Sequence, residues 1–209
     1  MNNTAKSFNI SLTKVLLLIS FSFLLLLPAI AEDGLYERGI ELVEQKSYEK
    51  ALKAFELGAN TGDLNSMTAL GIMYITGVGV IQNDAKGFKY IQDAANKSHP
   101  KAQYTLGAIY YLGAGVSIDF NKAFSWISLS ADQGYIDAQH NLAQMYEAGE
   151  GVSQNFGQAY EYYLKAARNG NLDSQIKVAQ MYQKGIGTAK NLDKSSYWLK
   201  KTEESKARN

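Results

Sequence analysis

A tyrosine followed by two glycines returns every 36 residues along this chain without an insertion: Tyr74, Tyr110, Tyr146 and Tyr182 carry the phase. The glycine pairs are Gly77 with Gly79, Gly113 with Gly115, Gly149 with Gly151 and Gly185 with Gly187. A period in this range over most of a chain marks stacked helical hairpins, because one hairpin cannot bury its apolar face alone. The pattern predicts an all-α solenoid and moves function toward extended surfaces and away from a single deep pocket.

Each unit reads as helix A, a glycine turn and helix B. Helix A carries apolar or small residues at spacings of three and four, as at Leu106, Gly107 and Tyr110, which is one face of a 3.6-period helix. The first glycine stands where a helix C-terminus takes a left-handed residue, and the second lets the chain reverse. Helix B opens at Asn83, Asp119, Asn155 and Asn191, residue types whose short side chains accept hydrogen bonds from first-turn amides. Apolar pairs follow in each helix B: Phe88 with Ile91, Phe124 with Ile127, Tyr160 with Leu164, and Tyr197 with Leu199. Gly71 and Gly107 fall in mid-helix, where glycine costs about 1 kcal/mol against alanine, so close approach of helix B is expected there.

Residues 1–31 read as a targeting segment. Lys6 and Lys14 form a basic start, Val15 to Leu27 is apolar apart from two serines, and Ala29-Ile30-Ala31 has the small-x-small pattern of a cleavage site. The expectation is a signal peptide cleaved after Ala31, giving a periplasmic or secreted protein that starts at Glu32. The alternative is a retained membrane anchor, although a spanning helix wants about 20 apolar residues and this run is shorter. The net charge of +1 becomes about −1 without that segment, which argues against nucleic acid, whose affinity rests on clustered cations. The absence of Cys excludes thiolate metal sites, thiol redox chemistry and a Cys nucleophile.

Leu-Gly-x-x-Tyr, then Gly-x-Gly-Val, then Asp or Asn, then Lys-Ala resembles the Sel-one-like repeat (SLR) family, relatives of the tetratricopeptide repeats. Asp119-x-x-Lys122-Ala123 with Trp126 and Ala131 is the fullest match, and the resemblance runs from about Leu35 to Thr202. It implies a right-handed α-solenoid with about four full 36-residue units, 66–101, 102–137, 138–173 and 174–209. Residues 32–65, which lack the Gly-x-Gly, look like a tetratricopeptide-type hairpin capping the N-terminal end, and polar Lys200 to Asn209 suits a terminal face. The resemblance also implies an interaction scaffold, including roles in bacterial envelopes and in infection.

Other chemistries find little support. A dinucleotide fingerprint follows a strand and opens a helix, whereas these glycines close one. His99 and His140 lack a second His at helical spacing and read as ordinary surface, and no paired carboxylates stand out as an acid and a base. The chain is therefore expected to use no cofactor and no metal and not to be an enzyme. Tyr74, Tyr110, Tyr146 and Tyr182 read as packing within each hairpin, each hydroxyl finding a partner at its edge.

In tetratricopeptide-like stacks helix A lines the concave surface, which points to the variable positions left after the core ones are removed. They are Thr68, Ile72 and Ile75; Tyr104, Ala108 and Tyr111; His140, Gln144 and Glu147; and Ile176, Gln180 and Gln183. The groove would run from apolar and aromatic to amide-rich. Tyr104 and Tyr111 are either anchors for a partner's apolar side chains or residues partly covered by neighbouring helices that help the stack. The function expected is binding of a partner protein or peptide on this surface. Two alternatives stay open: a cell-wall-directed enzyme or small-ligand binder, and a membrane-anchored structural subunit.

Overall fold

The structure is a computed structural model that describes residues 34–207. The targeting segment 1–31 lies outside the described residues. Among the described residues the chain forms helices and no strand, in five successive pairs. These are α1 (Leu35–Glu44) with α2 (Tyr48–Asn60), α3 (Leu64–Thr76) with α4 (Asp84–Asn96), α5 (Pro100–Leu112) with α6 (Phe120–Asp132), α7 (Ile136–Ala148) with α8 (Phe156–Arg168), and α9 (Leu172–Lys184) with α10 (Leu192–Lys206). Each helix packs on its neighbours in sequence, so the array is a solenoid whose core forms four clusters bridged by half-buried residues such as Ala59, Tyr110 and Tyr146.

Local chemistry explains the helix ends. The side chains of Asn83, Asp119, Asn155 and Asn191 accept from the backbone N–H three residues on, in Lys86, Lys122, Gln158 and Lys194. Gly77, Gly113, Gly149 and Gly185 end helices A with φ of 70°, 72°, 78° and 72°, the left-handed conformation that lacks a Cβ penalty only in glycine. The first hairpin has no such pair, and Lys46 takes the left-handed turn between α1 and α2. Helices B stop at Gly62, Gly134 and Gly170, and Ser98 holds the same register with a φ of 62°.

The second glycine does more than reverse the chain. A Cβ on Gly79 would lie 2.5 Å from Cβ of Tyr48, and one on Gly115 2.6 Å from Cβ of Asp84. In later units the same atom on Gly151 or Gly187 would meet the carbonyl of Phe120 or Phe156. All four partners are the first residue of helix B in the preceding hairpin, so this glycine is where one turn seats on the next.

Leu70, Leu106, Leu142 and Val178 are sealed at the centre of helices A. Burying such a side chain contributes about 1.5–3 kcal/mol each. The tyrosine phase is shared more widely than a seam within one hairpin. Tyr110 meets Phe88 edge-on, Tyr146 meets Phe124 and Tyr182 meets Tyr160, each from the preceding helix B. Tyr74 and Tyr146 also stack on Tyr90 and Tyr162 of their own hairpins. Two of the four hydroxyls have edge partners: Lys86 donates to that of Tyr74, and those of Tyr160 and Tyr182 hydrogen-bond to each other, whereas Tyr110 and Tyr146 make no side-chain hydrogen bond among the described residues.

A second set of inter-hairpin bonds keeps the same period. Gln103, Gln139 and Gln175 are buried and donate to the carbonyls of Ala95, Ala131 and Ala167, which close the preceding helices B. The apolar pairing expected of α10 is not observed. Tyr197 and Leu199 are exposed at 59% and 47%, while Trp198 is buried. Ile91, Ile127 and Tyr163 at the Leu199 register are sealed under a following helix A, and among the described residues none follows α10.

The mid-helix glycines meet helix B as expected. A Cβ on Gly71 would lie 2.5 Å from Cγ1 of Ile91, and one on Gly107 2.5 Å from Cγ1 of Ile127. Where Ala143 and Ala179 replace them, the residues at the Ile91 and Ile127 register are Tyr163 and Leu199, neither branched at Cβ. Gly107→Leu is therefore expected to cost about 2–4 kcal/mol and to lower the melting temperature by roughly 5–10 °C. Circular-dichroism melts test this, and an unchanged melting temperature would contradict the packing.

Candidate partner-binding surface on helices A

Helices A present one face in register. Tyr104, Ala108 and Tyr111 of α5 and Gln144 of α7 border a cleft of about 240 Å³. Ile127 and Met145 form its apolar floor, and Leu112, Asn141 and Glu150 its rim. Both tyrosines are half-buried and held by neighbouring helices, and both line the cleft. The Tyr104 hydroxyl accepts from Nδ2 of Asn141 at 2.9 Å, and its ring lies 5.3 Å from that of Tyr135. The Tyr111 hydroxyl donates to Oε2 of Glu150 at 2.8 Å, and its ring leans edge-on against Phe120.

These surroundings set the acidity of the two phenols. Burial raises the Tyr104 pKa, with the Asp137 charge adding to it. The hydrogen bond to Glu150 raises that of Tyr111 first, then burial. Both are neutral donors at ordinary pH, able to bond or to stack.

A second hollow, of about 290 Å³, opens between α7 and α9 and is lined by His140, Gln144, Asp173, Ile176, Lys177 and Gln180. Gln144 borders both hollows. His140 is not ordinary surface: it is half-buried, its Nδ1 lies 2.7 Å from Oγ of Ser174, and its ring meets Tyr163 edge-on. Glu147 accepts from the Tyr163 hydroxyl at 2.7 Å and from Nζ of Lys177 at 2.9 Å. The charge of Glu147 is thus balanced inside the molecule. His99, also read as surface, caps α5 half-buried, and its Nε2 is enclosed without a hydrogen-bond partner.

The remaining positions lie outside the two hollows. Ile72 is exposed on α3, and Ile75 packs over Gly87. Gln183 is exposed on α9. Thr68, expected in the groove, is sealed and donates to the Leu64 carbonyl at 2.7 Å. Among the described residues no group of three or more His, Asp or Glu could hold a metal ion, and no helix is long and apolar enough to cross a membrane.

Asn141, Glu150, Tyr163, Lys177 and Ser174 escaped the reading from sequence. The signal for Glu150 was available in the repeat register. It occupies the middle of Gly-x-Gly, where the other units place Val78, Ala114 and Ile186.

Comparison with known proteins matches the Sel1 repeat model to residues 28–63, 64–99, 100–135, 136–171 and 172–204, the first span taking in the hairpin of α1 and α2. The fold is similar to a Sel1 repeat protein from Oxalobacter formigenes, with 30% identity and a TM-score of 0.71, over 75% of this chain and 46% of that one. It is similar also to a protective antigen with an SLR fold present in uropathogenic Escherichia coli strains, with 32% identity and a TM-score of 0.73, over 86% of this chain and 40% of that one. The chain thus spans less than half the length of these two relatives. A Sel1 repeat protein from Klebsiella pneumoniae, at 18% identity and a TM-score of 0.56 over 83% of this chain and 86% of that one, shares the fold. No curated protein matches the chain.

The buried charges of this surface give a pH dependence with a defined sign. Burial lowers the pKa of both His99 and His140 from the ordinary 6.5; around His140, Asp173, Asp137 and Glu147 pull upward and Lys177 downward. A base whose folded pKa lies below its unfolded value is protonated first in the unfolded chain, so stability falls as pH drops below about 6.5. Glu147 acts in a lower window. Burial works to raise it, but the bonds from Tyr163 and Lys177 and the Lys177 charge outweigh that and leave it below 4.5, so its contribution is lost as pH falls beneath that value. The melting temperature is expected to decline between pH 7 and pH 5, and to decline less in a His99→Asn, His140→Gln double variant. Equal slopes in the two proteins would contradict the assignment.

Proposed function

The chain belongs to the Sel1 repeat family, and on that premise we propose that it is a scaffold whose helix A surface holds a segment of a partner protein at the cleft of Tyr104, Tyr111 and Gln144. Sel1 repeat proteins generally mediate protein–protein interactions, and their fold is typically a non-enzymatic scaffold. The observation that carries the choice of surface is the cleft itself. Two tyrosines off the repeat pattern border an apolar floor between adjacent helices A, with amides of Asn141 and Gln144 at the rim. Apolar burial at the floor supplies affinity, while the amides suit peptide backbone.

Held tyrosines favour binding for an entropic reason. Tyr111 is pinned at its hydroxyl by Glu150 and at its ring by Phe120, so little rotamer freedom remains to be lost when a partner docks. The ring is also large and amphipathic, the kind of side chain enriched where interfaces concentrate their energy.

We place the protein in the periplasm or outside the cell, a reading supported by the composition of residues 1–31. The exported protein is then expected to have an intact mass that begins at Glu32, and a mass retaining Met1 to Ala31 would favour an anchored form.

For the surface, Tyr104→Ala with Tyr111→Ala is expected to weaken the partner recovered by cross-linking in the native cell at least about 30-fold. Isothermal titration reads the affinity and circular dichroism the fold. Undiminished binding by a folded double variant would overturn the choice of this cleft.

A further inference from the structure

We infer that the Tyr104 and Tyr111 cleft receives a cationic side chain, an Arg or Lys set beside an aliphatic residue in a partner's peptide, with Glu150 as the counter-charge. The inference rests on the reading of this cleft as the binding surface and goes on to name what enters it.

Charge complementarity carries the argument. The cleft is lined by one carboxylate, that of Glu150, and by no cationic residue. Among the described residues Glu150 forms no ion pair, and its one side-chain hydrogen bond comes from the neutral Tyr111 hydroxyl. The contrast is with Glu147 nearby, whose charge Lys177 balances at 2.9 Å. A partly enclosed carboxylate beside an apolar floor favours an incoming cation over a neutral or anionic group.

The aromatic walls point the same way. Cations sit favourably over aromatic faces within about 6 Å of the ring centre. Among the described residues Tyr36, Tyr74, Tyr110, Tyr162, Tyr163 and Tyr182 each carry a Lys ammonium at 4.0 to 5.7 Å from the ring centre. Tyr104 and Tyr111, the two that border the cleft, are not among these pairs. Size agrees as well: about 240 Å³ is smaller than the roughly 300–1,000 Å³ of small-molecule sites and suits one long side chain. The aliphatic stem of Arg or Lys would lie on Ile127 and Met145 while its head reaches Glu150.

The position of Glu150 sets this unit apart. Val78, Ala114 and Ile186 stand in its place in the other Gly-x-Gly turns, so an anionic turn beside helix A occurs in one unit of the four. Gln at this position would still accept from Tyr111, so Glu150→Gln removes the charge while leaving the geometry. Glu150→Val, the residue of the first full unit, is a second test.

A random heptapeptide display library panned on the full-length protein supplies the probes, and titration of the recovered peptides supplies the readout. The expected result is peptides with Arg or Lys beside an aliphatic residue, weakened about tenfold by Glu150→Gln and more strongly at low than at high salt. Replacing the basic residue by Gln should weaken wild-type binding similarly and add nothing in the Glu150→Gln protein. Peptides that Tyr104→Ala with Tyr111→Ala abolishes but Glu150→Gln and Glu150→Val leave within twofold would overturn the cation assignment and spare the cleft. Peptides indifferent to all of these variants, or no recovered peptide at all, would overturn both.

Discussion

The structure depends on one close contact: the second glycine of each turn lying against the first residue of the preceding helix B. At Gly151 and Gly187 the neighbour is a backbone carbonyl, which cannot rotate away as a side chain could. A Cβ there would force whole hairpins apart. The contact thus sets the spacing between units and, with the buried Gln103, Gln139 and Gln175, their register. Once spacing and register repeat, every helix A shows the same face to the same side. A shared face is what lets residues from α5 and α7 border a single cleft.

Legibility followed the range of the interaction. Caps and left-handed glycines act within a few residues, and Asn83, Asp119, Gly77 and Gly113 do what their residue types announce. Mid-helix Gly107 could be read as close packing, because nothing else justifies its cost. The tyrosines could not be resolved in that way. A period of 36 places Tyr110 equally well against its own helix B and the preceding one, and only packing shows that Phe88 is a partner. The exposure of Tyr197 and Leu199 was hidden for a related reason: both have core-like chemistry, but among the described residues no helix A covers Leu199 as one covers its counterparts.

The candidate site was legible in part. Tyr104, Ala108, Tyr111 and Gln144 follow from counting along helix A, and the structure brings them together. His140 and Glu147 follow from the same count but are held in bonds with Ser174, Tyr163 and Lys177, partners 16 to 34 residues away. Those partners have no local signature. Glu150 is the reverse case: it lies in a turn, outside any helix A count, and its departure from Val78, Ala114 and Ile186 is visible only when the units are laid over one another.

A repeat array separates two kinds of residue. Positions that recur must satisfy the same contact in each unit, so they tolerate little change and can hold little that is specific. Ser98 shows how far that tolerance reaches: it keeps a left-handed φ of 62° in a register otherwise held by glycine, a strain of about 1–2 kcal/mol that the surrounding stack absorbs. Positions outside the recurring contacts can diverge at no such cost, and Tyr111, Gln144 and Glu150 are of that kind. Between α5 and α7 the off-repeat residues set two fixed aromatic walls and one unbalanced negative charge over an apolar floor of recurring positions.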